Sequence, residues 1–120
     1  MTSLEFGVVA LLFLMVVIGC MDLGRYYVIE HSLRTVVAEA AREAWVNSSI
    51  NGTVDPTTYS FGAITPFVDN ADLTLDVERS RAALGGVKTI TVTGTYTFTA
   101  YSPIWRSLDR EITETTVVRY

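Results

Sequence analysis

Few residues in this 120-residue chain could carry out chemistry. One cysteine, Cys20, and one histidine, His31, exclude an intrachain disulfide scaffold, an all-Cys/His zinc site and a Cys–His pair close in sequence. A nucleophile–His–acid set would have to use His31, which falls on a helix-patterned stretch where a solvated histidine is the simpler reading. Asp69, Asp72 and Asp76 lack the glycine and the bidentate glutamate of an EF-hand loop, so they read as loop solvation and not as a metal site. Asp76 and Glu78 share a strand face with no cleft signal, and Gly85-Gly86 is a turn, not a phosphate loop. Asn47-Ser48-Ser49 and Asn51-Gly52-Thr53 match the glycosylation sequon. Modification at Asn47 or Asn51 therefore stands beside the plainer reading of ordinary loop residues. Neither catalysis nor a metal or cofactor is expected. The ionisable residue most out of keeping with its surroundings is Glu5.

Glu5 precedes an uncharged run from Phe6 to Met21. At about 1.5 Å per residue the run reaches roughly 24 Å, short of a hydrocarbon core of about 30 Å. Counting from Met1 makes the span long enough, but it then encloses a carboxylate that needs a partner, a proton or the positive end of the helix dipole. No Lys or Arg precedes Arg25. A secretory signal peptide or a lipoprotein signal ending at Cys20 would need a positive n-region, so both are disfavoured. The missing basic flank is easier to understand if a leader preceded Met1 and was removed. Cys20 itself reads as a small packing residue, with lipidation or an intermolecular disulfide as the functional alternative.

Nine basic and thirteen acidic residues give a net charge of −4. The only close basic groupings are Arg79/Arg81 and Arg106/Arg110, which argues against nucleic acid as a partner. Helical patterning continues past Met21. From Arg25 to Val46 no Pro or Gly interrupts, and Ile29, Leu33, Val36/Val37, Ala40 and Ala44 recur at helical spacing. Glu30 and Arg34 form an i,i+4 pair, and Asn47-Ser48-Ser49 supplies a stop. One helix from about Ser3 to Asn47 is predicted, apolar all round in its first half and on one face in its second.

Asn47 to Asp55 reads as a loop, and Pro56 as the opening of a short helical turn through about Ile64. Leu73, Leu75 and Val77 alternate with polar residues, marking a half-buried strand. Leu84-Gly85-Gly86-Val87 supplies a turn. Ile90, Val92, Tyr96 and Phe98 then share one strand face with Gly94 in phase, while threonines from Thr89 to Thr99 occupy the other. Ser102-Pro103 breaks this strand, Ile104 to Leu108 reads as a turn or short helix, and Glu111 to Arg119 as a third strand of less decisive phase. The fold class is α+β: a long N-terminal helix packed on a C-terminal three-stranded antiparallel sheet. Residues 1–24 form the apolar anchor, and 25–120 the amphipathic half of the helix with the sheet.

Three stretches resemble the TadE-like pilins of tight-adherence systems, within the type IV pilin superfamily. Met1-Thr2-Ser3-Leu4-Glu5-Phe6 before an apolar run is similar to a mature pilin N-terminus. Asp22-Leu23-Gly24-Arg25-Tyr26-Tyr27 followed by Ala38-Glu39-Ala40-Ala41-Arg42-Glu43-Ala44 is similar to signatures of the family's long helix. Ile90 to Phe98 followed by Ser102-Pro103 is similar to its alternating strand. The resemblance implies a structural subunit that sits in the cytoplasmic membrane and then joins an extracellular adhesive filament of its own copies. It also implies a prepilin peptidase, an ATPase and an assembly platform as partners. N-terminal processing and methylation would fall on Met1. In such a filament Glu5 would pair with the Met1 amine of a neighbour, and Phe6, Gly7, Ala10, Leu11, Leu14, Val17 and Ile18 would pack the core, where small residues permit close helix approach. Two alternatives stay open: a minor pilin that primes or caps a filament of another pilin, and a bitopic membrane protein whose external module binds a partner. The aromatics Tyr26, Tyr27 and Trp45 would form an interfacial belt and then subunit contacts.

Overall fold

The computed structural model describes residues 3–56, 68–80, 87–102, 106–107 and 109–120. One uninterrupted helix, α1 (Ser3–Val46), runs through the first third of the chain. At about 1.5 Å per residue it is roughly 66 Å long, which accounts for most of the molecule's 79 Å long axis. Its apolar first half contributes no buried residue; the first is Asp22, followed by Ile29, Leu33, Val36, Val37, Ala40, Ala41 and Ala44. These positions follow the helical repeat read from the sequence and give the second half a single inward stripe.

That stripe packs on an antiparallel sheet of four strands in the order β1-β2-β3-β4: β1 (Gly52–Val54), β2 (Leu73–Ser80), β3 (Thr89–Phe98) and β4 (Arg110–Arg119). The expected sheet of three strands is corrected by β1, which lies in the stretch read as a loop. Gly52↔Val77 and Val54↔Leu75 place it beside β2. Three residues with a glycine at φ 83° cannot display alternation, so no period-two signal marks this strand in the sequence. The Gly85-Gly86 turn and nearly all of the turn expected from Pro56 to Ile64 lie outside the described residues.

The alternation read for β3 is realised: Ile90, Val92, Tyr96 and Phe98 are buried against the helix, and the threonines face away. The register Thr93↔Thr115 and Tyr96↔Ile112 fixes the phase of β4, whose residues 112, 114, 116 and 118 face the helix. Gly94 is in phase with the buried side chains because the helix passes over it. A Cβ at this position would collide with Val37 Cγ2 and lie 3.2 Å from Leu33 Cδ1. The strand therefore needs a missing side chain where the helix comes closest.

Two arginines join helix and sheet. Arg34 forms the expected pair with Glu30, Nη2 to Oε1 at 2.9 Å, and its Nε also donates to Glu114 Oε1 at 2.8 Å across to β4. The hydrogen bond to Glu114, then the charges of Glu114 and Glu30, hold the guanidinium proton more tightly than usual. At the far end no basic residue lies in the last turn of α1. Arg79 of β2 supplies that charge from outside: Nε donates to Ile50 O at 2.8 Å, and Nη2 to Asn47 O at 2.9 Å and to Ala44 O. One guanidinium thus satisfies carbonyls that a helix C-terminus leaves without partners and opposes the negative end of its dipole.

Two substitutions test this packing by chemical denaturation of the full chain. Gly94→Ala overpacks the helix–sheet contact and is expected to cost about 1–3 kcal/mol. Arg79→Ala uncaps α1 and is expected to cost about 1–3 kcal/mol, with Arg79→Lys recovering only part, because an ammonium does not reproduce the planar fork of donors.

Candidate membrane and assembly interface

The helix up to Met21 presents apolar side chains in every direction. Phe6, Leu11, Leu14 and Ile18 are exposed, as is Gly7, while Ala10 and Val17 are half-exposed. This segment is long and apolar enough to cross a membrane, and none of its most hydropathic window is buried within the chain. A surface of this size left bare in a folded chain calls for lipid or protein to cover it. Gly7 is informative here. A Cβ added to it meets nothing within 4 Å, so no contact among the described residues accounts for a residue that costs a helix interior about 0.5–1 kcal/mol.

Glu5 lies in the first turns of α1 on the exposed surface. Met1 lies outside the described residues. Cys20 is exposed on the apolar segment, and His31 is exposed on the amphipathic half. Asn47 Oδ1 accepts from Ser49 N at 3.1 Å and Ser49 Oγ at 2.7 Å, closing a local turn after the helix, and Asn51 is exposed just beyond it. Asp69 caps the short turn Asn70–Asp72 through Ala71 N at 3.0 Å, while Asp76 faces solvent on β2. Among the described residues, no three His, Cys, Asp or Glu side chains are placed to hold a metal ion.

The structure gives Asp22, Arg25 and Tyr26 a joint role that the sequence does not disclose. Asp22 follows the apolar run directly, yet it is 2% exposed. Its Oδ1 accepts from the backbone N–H of Tyr101 and its Oδ2 from that of Ser102, each at 3.2 Å. These donors belong to the chain leaving β3, which is thereby held against the helix where the apolar segment ends. Arg25, one turn on, brings Nη1 to 4.0 Å from Asp22 Oδ1. It stacks its guanidinium 3.9 Å from the centroid of the Tyr101 ring and 5.4 Å from that of Phe98. Arg25 Nη1 is buried with no hydrogen bond, so the carboxylate charge and the ring faces are what offset its loss of water. Tyr26 packs edge-on against Phe98 at 5.5 Å, continuing the collar, and Tyr27 remains exposed beside it. Trp45 stands 18 positions beyond Tyr27, roughly 27 Å along the helix, too far to share one interfacial belt with Tyr26 and Tyr27.

The sequence carried one signal for this collar. Asp22 is in phase with Ile29, Leu33 and Val36, so a charged residue occupies a position where the repeat calls for an apolar one. Its partners are backbone groups 79 and 80 residues away, which no local pattern discloses.

Fold and surface together define an α+β chain whose exposed helix, long and apolar enough to cross a membrane, continues without a break into its folded domain. Residues 1–42 match the family model described as TadE-like protein. The match covers the apolar half of α1 and most of the amphipathic half, and it makes the chain similar, over that span, to proteins associated with Tad pili, a structural rather than catalytic family. No match was found among curated proteins or among solved structures.

The collar makes a direct prediction. Asp22→Ala removes a buried acceptor of two N–H groups and is expected to lower stability by about 2–4 kcal/mol. Amide hydrogen exchange at Tyr101 and Ser102 in detergent micelles should quicken by at least about tenfold. Unchanged exchange at both amides would show that the carboxylate does not hold this segment.

Proposed function

We propose that the chain is a structural subunit of an extracellular Tad-type pilus filament, held in the cytoplasmic membrane by residues 1–24 before assembly and polymerising through that same helix. The observation that carries the reading is the apolar segment, with no buried residue, that follows Glu5 and continues as one helix into a folded domain. The match over residues 1–42 supports it.

In a membrane, lipid covers the apolar side chains; in a filament, neighbouring helices would do so. Lipid tails are as apolar as leucine, so the transfer is driven by packing and by polar pairing rather than by exclusion of water. Gly7 and Ala10 would let neighbouring helices approach, and Phe6, Leu11, Leu14, Val17 and Ile18 would fill the space between them. Glu5 supplies the polar term. Paired with the charged amine of a neighbour's Met1, methylated or not, its carboxylate is offset in a dry core and fixes the axial step between subunits. The sheet forms the outer layer, which would carry adhesion. Insertion, processing and extraction would require a peptidase, an ATPase and a membrane platform.

The test is Glu5→Gln in cells that produce the filament. Removing one partner of a buried charge pair costs about 3–5 kcal/mol per contact. The variant should therefore be absent from the sheared surface fraction while its membrane-bound amount is unchanged. Filaments of normal yield from the variant would refute the pairing role.

A further inference from the structure

β4 is the last strand of the sheet, and the direction of its backbone groups follows from the ladder. Lys88 N donates to Tyr120 O at 2.9 Å and Tyr120 N to Lys88 O at 3.0 Å, so this is a hydrogen-bonded pair. Because the register with β3 is continuous from Thr89↔Arg119 to Phe98↔Arg110, every even-numbered residue of β4 turns its N–H and C=O toward β3. The odd-numbered residues Glu111, Thr113, Thr115, Val117 and Arg119 turn theirs outward, and among the described residues no strand pairs with that edge. The same five side chains are exposed on the sheet face away from the helix.

Edges of this kind are ordinarily blunted by a proline, a lysine, a bulge or short length. The opposite edge, β1, is three residues long. β4 runs for ten residues without a proline, a lysine or a break in register. It does carry charges, and their placement is self-complementary. An antiparallel partner must bring odd residues opposite odd ones for both sets of hydrogen bonds to form. With Thr115 opposite Thr115 of a second copy, Glu111 falls opposite Arg119, Arg119 opposite Glu111, and Thr113 opposite Val117. On the helix side, Ile112 meets Val118 and Glu114 meets Thr116. Among the described residues neither Glu111 nor Arg119 has an ion-pair partner within its own chain. Shifting the register by one hydrogen-bonding step in one direction puts Glu114 against its own copy, a like-charge pair; shifting it in the other centres the pair on Thr116 and places Arg119 opposite Thr113, which loses both Glu111–Arg119 pairs.

We propose that the outer edge of β4 is a homotypic docking strand that pairs antiparallel with β4 of a second copy, centred on Thr115. The polarity of the pair follows from the fold. β4 runs from the level of Asp22, where the chain leaves β3, to the level of Ala44, where Arg79 caps the helix, and so in the same sense as α1. The two-fold axis of an antiparallel edge pair stands perpendicular to the sheet, so it reverses the helix together with the strand. The two apolar segments then point away from each other. This contact joins copies held in opposed surfaces or in oppositely directed filaments, not neighbours within one filament or one patch of membrane. It stands independently of whether copies polymerise through the N-terminal helix.

The test uses the full chain in detergent micelles, carrying Cys20→Ala to remove the native thiol, with Thr115→Cys or Thr113→Cys added. Across the axis two residues 115 would have Cα atoms about 5.5 Å apart, within disulfide range. Two residues 113, four positions out of register, would be roughly 14 Å apart. Disulfide-linked dimer should form at least about tenfold faster for Thr115→Cys than for Thr113→Cys. Adding Glu111→Arg should slow the position-115 reaction, and adding Arg119→Glu as well should restore it. Equal rates at the two positions, faster reaction at 113, no dimer at either, or no response to the charge exchange would each overturn the proposal.

Discussion

The structure depends on one helix serving two solvents without a break. From Ser3 to Met21 it offers apolar side chains on all sides, and beyond that it offers one apolar stripe to a sheet. No proline, turn or linker separates the halves, so whatever grips the first half also positions the folded domain. The change of environment falls at Asp22. A carboxylate there would be costly in lipid and equally costly if buried without partners, but two backbone N–H groups and the nearby guanidinium of Arg25 make its burial tolerable. The apolar segment thus ends where the domain begins. Arg79 closes the other end, so the buried half of the helix is fastened at both limits by side-chain contacts to backbone groups.

The elements with a strong local period were legible in the sequence. The Ile29–Leu33–Val36–Ala40–Ala44 repeat gave the inward face of the helix, and the Ile90–Val92–Tyr96–Phe98 alternation gave the inward face of β3. Gly94 was placed on that face, but the reason lay in another element, since only the docked helix shows that Val37 and Leu33 occupy the space of its side chain. β1 escaped notice because three residues do not make a pattern. The roles of Asp22 and Arg79 escaped notice for a related reason: each acts on backbone groups distant in sequence, and neither residue type announces such a role.

The apolar segment was legible because composition alone marks it. What covers it lies outside the described residues, and the roles proposed for Glu5 and for the packing residues from Phe6 to Ile18 are argued from the exposure of this surface and from the likeness of residues 1–42 to TadE-like proteins. The sheet answers to different demands. Its inner face is shaped by the helix, while among the described residues nothing packs on its outer face or pairs with the outer edge of β4, which leaves both open to contacts between molecules.

The most direct measurement is a cryo-electron microscopy reconstruction of filaments sheared from cells that produce this chain. The account predicts a filament built from it, with residues 3–21 of neighbouring subunits packed together at the centre and each Glu5 carboxylate within about 4 Å of an adjacent subunit's N-terminal amine. Filaments that lack the chain while all of it stays in the membrane fraction, or a core in which Glu5 faces solvent, would contradict it.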